Sequence, residues 1–455
     1  MGAEYNSTGG GLRPVQARRR VWALAWPLIV SNITVPLLGL VDTAVVGHLP
    51  DSRYLGGVTL GATLFSFLYW GFGFLRMGTT GLTAQALGRD DSDDIIRLLG
   101  QSLMLAFVIG VALIALHPLL IPLGLHLLDG SAAVTAEADI YARIRIASAP
   151  AVLANYALIG WFLGRGYSRV TLLLMVINNS VNIVLDLVFV VGLGMTTAGV
   201  ALASVLADYV TLASGIGLAL LAWRGWGWRR VSGVFADMAG YGRLLSVNLA
   251  LFIRTLCLLF AFAFFHSRGA QLGDVTLAAN AVLLQFVLLA SYGLDGFAHA
   301  TESLVGQRIG AADQPGFRSV VRAATEWSLV AAGAASLGFA LGGGVLIDVL
   351  TDLPAVRETA DRFLPWMVAM PLLAVGSYLL DGLFIGATRT RAMRDTMIAA
   401  VLLFYLPVWW FTQSLGNHGL WLAFVSFTVA RSLLLGAVFW RDWRRGSWFA
   451  ATGPA

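Results

Sequence analysis

The sequence contains no lysine, a single cysteine and few charges of either sign; charged residues make up 12% of its 455 positions. Soluble domains carry about twice that share. A soluble chain of this length divides into domains with polar surfaces, and here there is too little charge to cover them. One cysteine excludes a disulfide framework and a thiolate metal cage. The six histidines are scattered, none in a ligand spacing such as H-E-x-x-H. The 51 glycines follow no three-residue period, so a collagen-like chain is excluded, and 58% hydrophobic content excludes a disordered one. What remains is a polytopic α-helical membrane protein.

The net charge of +5 rests on arginine alone. The arginines sit in short segments between apolar runs, with no basic, aromatic-laced patch. They therefore report membrane topology rather than nucleic-acid binding. Twelve apolar runs each have the roughly twenty residues that a bilayer crossing needs. They cover 21–45, 56–79, 96–122, 138–163, 170–192, 197–223, 241–266, 277–303, 319–346, 360–386, 395–414 and 418–440. The first is too long for a cleavable signal and contains Pro27 and Pro36. With the N-terminus in the cytoplasm, twenty-one arginines fall in inner segments and four in outer loops. That bias predicts both termini inside. The expected organisation is a cytoplasmic tail over 1–20, a first six-helix bundle over 21–223 and a linker over 224–240. A second bundle over 241–441 and a tail over 442–455 complete it. The first dozen residues, rich in Gly and Ser, read as a disordered tail.

The two halves share one register. At an offset of 222 residues, Gln85 and Gly88 fall on Gln307 and Gly310, and Tyr156 on Tyr378. Gly160, Phe162, Gly164 and Arg169 fall on Gly382, Phe384, Gly386 and Arg391; Leu193-Gly194 falls on Leu415-Gly416, and Ser204 on Ser426. Six spans per repeat give both halves the same orientation, so the pseudo-two-fold axis runs along the membrane normal. Two like bundles across such an axis form a central cleft, the usual geometry of a carrier that rocks between two access states.

A charge at bilayer depth costs about 2.5–3.5 kcal/mol on insertion scales and needs a partner or a role. Asp42 lies in the outer third of the first span, on a helix carrying Pro27 and Pro36 that can bend there. It is either a moving acid or an interfacial residue snorkelling to water. The fifth span carries Asn178, Asn179, Asn182 and Asp186. Asn182 and Asp186 share a helix face, at the depth of Asp42 and of Ser204 in the returning span. Two crowded acids raise the proton affinity of at least one, so the set can take up a proton or hold Na⁺. The bland alternative is a polar helix–helix contact. At the 222 offset, Asp42, Asn182 and Asp186 become Phe264, Phe404 and Val408, which places the coupling chemistry in the first bundle. Asn155, Tyr156, Asn178, Arg254, Asp295 and Asp381 form a second tier of polar cleft candidates, with an Arg254–Asp295 pair as one arrangement. Arg76, Glu302 and Glu326 read as anchors near the cytoplasmic ends. Asp208 and Arg431 have no evident partner in the sequence.

The run Val41-Asp42-Thr43-Ala44-Val45-Val46-Gly47-His48-Leu49 resembles the signature of multidrug and toxic compound extrusion (MATE) transporters. The run from Leu294-Asp295-Gly296-Phe297 through Ser303-Leu304-Val305-Gly306 resembles their bacterial DinF branch. The spacing of Asn182 and Asp186 and the twelve spans match over essentially the whole chain. The resemblance implies a coupling role for the acid at Asp42, a helix bend at Pro27, and membership of Asn182 and Asp186 in the same polar cluster. Many relatives have a threonine near the place of Ser204. The position of Asp381 corresponds to an acid tied to Na⁺ coupling in another branch.

The expected activity is that of a secondary antiporter in the bacterial inner membrane. It would export organic cations or amphipathic toxic compounds against inward H⁺, or less favourably Na⁺. No enzymatic site, resident metal or cofactor is expected, since no phosphate loop, metal spacing or nucleophile constellation occurs. The expected partners are the small-molecule substrate and the bilayer, with no nucleic acid, and the expected assembly is a monomer. The alternative is a flippase for a lipid-linked cell-envelope precursor.

Overall fold

Helices account for all the regular structure among the described residues, which in this computed structural model are 14–47, 51–223 and 237–449. Within the first helix the side chains of residues 35–38, 40, 42 and 43 lie outside the description, as does that of Trp223. The tail expected over the first dozen residues and most of the expected linker also lie outside it. The first half holds α1 (Pro14–Gly47), α2 (Ser52–Trp70), α3 (Phe74–Gly88), α4 (Ser92–Leu128), α5 (Ala132–Arg145), α6 (Ala149–Gly164), α7 (Ser168–Asp186) and α8 (Thr197–Trp223). The second holds α9 (Met238–Ala270), α10 (Asp274–Gly310), α11 (Gln314–Leu350), α12 (Pro354–Gly386), α13 (Thr390–Ala400), α14 (Leu406–Thr412) and α15 (Asn417–Arg444). Among the described residues, eleven helical runs are long and apolar enough to cross a membrane. The 34-residue α1 brings the crossings to the expected twelve.

Each crossing runs past its apolar core because polar turns extend it, several of them capped. Asp91 starts α4 by accepting from the Asp94 N–H at 2.9 Å, and Asp313 starts α11 by accepting from the Gly316 N–H at 2.8 Å. Asp237 does the same for α9 at 3.0 Å. Such caps satisfy donors that the first helical turn leaves open. Four crossings are interrupted, the fifth and eleventh by π-helical segments over Leu187–Gly192 and Val401–Tyr405. The second loosens into a turn over Gly71–Gly73 between α2 and α3, and the fourth passes through a short 3₁₀ turn, Ile146–Ser148, ahead of Pro150. α1 passes through Pro27 as one uninterrupted helix.

The repeat read from the sequence reappears in the geometry. Adding 222 to Ser52–Gly88 gives the bounds of α10, to Ser92–Leu128 those of α11, and to Ala132–Gly164 those of α12. Left-handed backbone recurs at the same offset: Asp90 and Ala312, Gly166 and Thr388, Gly194 and Gly416. Lipid covers the outer faces, where large apolar side chains such as Leu341 and Phe411 are about four-fifths exposed.

Candidate functional site: a polar set, a cavity and a seal

The first bundle carries the predicted polar set on α7 and α8. Asn182 Nδ2 donates to Ser204 Oγ at 3.1 Å. One turn further, Asp186 has no exposed surface. The side chain of Asp42 lies outside the described residues; its backbone belongs to α1, which packs along α7. Asn179 Nδ2 donates to the Thr34 carbonyl at 3.3 Å, tying α7 to α1. Pro27 is buried. In the second bundle, Phe264 at the counterpart position of Asp42 joins an aromatic cluster. Phe264 meets Tyr405 and Trp409 edge-on, and the Arg268 guanidinium lies 4.6 Å from the Trp409 ring centre.

Asp208 gains the account that the sequence lacked. Arg145 on α5 donates to its Oδ2, and Asn178 donates to its Oδ1 at 3.1 Å and to Thr211 Oγ1 at 3.1 Å. Asn155 donates to the Asp208 carbonyl at 3.0 Å, and the Tyr69 hydroxyl lies 3.1 Å from Ser148 Oγ. Asn155 and Asn178 are thus occupied in a clamp that joins α5, α6, α7 and α8. Arg145 is the residue that sequence reasoning passed over. Its partner lies 63 positions away, and only its place inside an apolar run marked it. Tyr156 packs half-buried against the bundle core.

The second bundle and its boundary with the first enclose a cavity of about 590 Å³. Its walls come from α2, α3, α9, α10, α11, α12 and α15. They are greasy, with Trp70, Phe262, Phe286, Met370 and Phe424 among them. Charges stand within this apolar surface. The Arg254–Asp295 pair, one arrangement open to the sequence, does not form. Arg254 instead donates to Asp381 Oδ2, and Arg431 donates to the same oxygen at 2.7 Å. Position along a span does not say which face of a helix a side chain occupies. Arg76 on α3 bonds Glu302 on α10 at 3.0 Å, joining the bundles, and His299 Nδ1 lies 3.1 Å from the same carboxylate. Arg76 and Glu302 are therefore cavity-lining partners, whereas Glu326 is an anchor that bonds Arg18 and Arg322.

Immediately past the cavity, the halves close on each other. The lining ends at Glu302 on α10 and Ile385 on α12. Little more than a turn beyond Glu302, Gln307 Nε2 donates to the Gly164 carbonyl at 3.2 Å and to Ser303 Oγ at 3.1 Å. Its repeat mate Gln85 donates to the Gly386 carbonyl at 2.9 Å and to Thr388 Oγ1 at 3.1 Å. Gly164 and Gly386 are themselves repeat mates, so the two bonds are reciprocal about the pseudo-two-fold axis. Backbones meet beside them. A Cβ on Gly88 would fall 2.2 Å from the Gln307 carbonyl oxygen, and one on Gly310 would fall 2.1 Å from that of Gln85. Only glycine fits such an approach. The sequence matches at 85, 88, 164, 307, 310 and 386 are thus residues of one seal. It lies at the end that carries Arg89, Arg165, Arg308 and Arg389. There Arg389 donates to Asp442 and stacks 4.5 Å from the Trp448 ring. Burial lowers the proton affinity of Arg389, and the Asp442 carboxylate opposes that shift.

Two repeated membrane bundles with a charged, greasy-walled cavity, closed at one end by a symmetric seal, have the architecture of a membrane transporter. The chain belongs to the MatE family, whose model matches residues 27–188 and again 250–411, once in each half. It is 45% identical to DNA damage-inducible protein F of Escherichia coli (strain K12), over 95% of this chain and 94% of that one. It is 26% identical to the chloroplastic Protein DETOXIFICATION 44 of Arabidopsis thaliana, over 95% of this chain and 82% of the other. A crystal structure of MATE in the straight conformation superposes with a TM-score of 0.81 at 20% identity, covering 96% of this chain and 99% of that one.

Proposed function

We propose that this multi-pass protein is a secondary antiporter of the bacterial inner membrane, exporting organic cations or other amphipathic compounds against inward H⁺. One observation carries the reading: the cavity between and within the bundles is closed at its arginine-rich end by the reciprocal Gln85 and Gln307 bonds. The arginine bias makes that end cytoplasmic, so the described state is closed toward the cytoplasm, and parting the seal is the other half of the cycle.

In this reading the coupling site is Asp42 with Asn182, Asp186 and Ser204. A proton arriving from outside neutralises Asp42, loosens its contacts with α7 and lets α1 bend at Pro27, reshaping the first bundle and releasing the cargo. Proton release inside resets the cycle. Asn182 and Ser204 already share a bond and Asp186 is fully buried. Low dielectric makes a change of charge there costly enough to move a helix. One charge crossing 100 mV supplies about 2.3 kcal/mol, somewhat less than a hundredfold gradient of neutral cargo. Na⁺ is the less favoured coupling ion. Around Asp381, two guanidiniums bond one carboxylate oxygen, and their positive charge disfavours a second cation there. The test is ethidium efflux from proteoliposomes under an imposed pH gradient or an imposed Na⁺ gradient. Efflux driven by pH supports the reading, and efflux driven by Na⁺ alone replaces the ion. Absence of efflux under both moves the assignment to lipid-linked cargo.

A further inference from the structure

The second-bundle cavity holds a charge imbalance that export of simple cations does not use. Arg254 on α9 and Arg431 on α15 both turn Nη2 toward one oxygen of Asp381 on α12. The three side chains belong to residues that are 5%, 9% and 8% exposed. Two guanidiniums against one carboxylate leave a net positive charge that is almost wholly buried. Such a charge is costly unless something pairs with it. The hydrogen bonding is equally incomplete. A guanidinium offers five N–H donors in a planar fork, and each of these two makes one hydrogen bond among the described residues. Arg254 Nε, Arg431 Nε and Asp381 Oδ1 are buried without a hydrogen-bond partner.

The other charges of the cavity do not cancel this excess locally. Arg76 is matched by Glu302. Asp295, on α10, lines the same cavity and has no ion-pair or hydrogen-bond partner among the described residues. The cavity therefore has a positive pole at the Arg254–Asp381–Arg431 knot and a negative one at Asp295, with apolar and aromatic wall around them. Arg431 itself lies 5.6 Å from the centre of the Phe427 ring. Forked N–H groups beside aromatic surface are the recognition chemistry of a carboxylate or phosphate on an apolar body.

We propose that this cavity binds amphiphiles bearing an anionic oxygen head, held by the unused N–H groups of Arg254 and Arg431, with Asp295 receiving the cationic group of a zwitterion. The inference rests on the exporter reading above for its meaning, since it names which amphiphiles are cargo. It is tested without any gradient. Rhodamine 110 carries a free carboxylate, and rhodamine 123 is its methyl ester. Their equilibrium binding to purified protein in neutral detergent is read by fluorescence polarisation. The acid should bind at least about tenfold more tightly, the scale of one charge-assisted hydrogen bond. Arg254→Gln and Arg431→Gln should bring the two dyes to near parity, while Arg431→Lys should keep part of the preference. Titration with phosphatidylglycerol against phosphatidylcholine separates two sources of the anion: displacement by the former makes an acidic lipid the occupant, and its failure makes a soluble acid the occupant. Equal binding of acid and ester by the wild type overturns the proposal even if the arginine variants do not fold. So does a preference that survives in both well-folded Gln variants. Binding with no gradient-driven efflux would instead sink the antiporter reading and leave the site standing.

Discussion

Replacing Gly310 by alanine should open the seal between the halves. The added Cβ would lie 2.1 Å from the Gln85 carbonyl oxygen, and that oxygen is backbone and cannot swing away. Ordinary carbon contacts begin near 3.5 Å, so α3 and α10 must part locally by about 1.5 Å. Overpacking of this kind costs about 1–3 kcal/mol, and the neighbouring Gln85 and Gln307 bonds, at about 0.5–1.5 kcal/mol each, weaken with it. The sealed state then loses about 2–4 kcal/mol relative to a state in which these helices are apart, a shift of roughly 30- to 1000-fold in population. Paired nitroxide labels report it. Asp90→Cys and Ala312→Cys place them on repeat-mate turns just outside the seal, in a Cys257→Ser background. Pulsed electron–electron resonance should give a single short distance in the parent and a longer, dominant one with Gly310→Ala. Gly88→Ala, its repeat mate, should do the same, since its Cβ would fall 2.2 Å from the Gln307 carbonyl oxygen. An unchanged distance distribution in a protein that still melts cooperatively would refute the assignment of this contact as the gate.

Three further outcomes follow from the first bundle. Asp42→Asn should abolish pH-driven ethidium efflux while leaving thermal stability within a few degrees of the parent; undiminished efflux would remove Asp42 from the coupling site. Arg145→Gln should cost about 3–5 kcal/mol, because it strands the buried Asp208 carboxylate, and adding Asp208→Asn should recover part of that loss; differential scanning fluorimetry checks both, and an Arg145→Gln protein as stable as the parent contradicts the clamp. Ser204→Ala removes the acceptor of the Asn182 bond, worth about 1 kcal/mol. It should move the pH of half-maximal efflux, whereas an unmoved profile would make the Asn182–Ser204 contact purely structural.

The crossings were legible because a bilayer imposes a minimum apolar length that composition reveals residue by residue. The repeat was legible at Gln85, Gly88, Gly164 and their mates because backbone contact tolerates little besides glycine. What those matches were for was not legible: nothing in a linear sequence says that Gln85 reaches Gly386 across 301 positions. Side-chain direction is the other missing quantity. Asn182 and Ser204 met as their helical spacing and depth implied. Arg254 did not meet Asp295, because Asp381 on a third helix faces it more directly. Asp208 and Arg431 looked partnerless for the same reason, each being bonded from a different helix. The sequence led to a central cleft and to Arg254, Asp295 and Asp381, which line the cavity, but not to the rest of its walls. Its walls mix residues of both halves, and aromatic side chains that line a cleft look no different in sequence from those that face lipid.

The central claim is exchange of cargo for protons, and the most direct measurement is cargo-driven proton movement. Proteoliposomes holding a lumenal pH dye, in sodium-free buffer and with no imposed gradient, are given ethidium outside. The account predicts that ethidium entry through the carrier drives protons out, so that lumenal pH rises with wild-type protein and stays flat with Asp42→Asn. Ethidium entry with no pH change, or with protons entering alongside it, would contradict proton-coupled antiport.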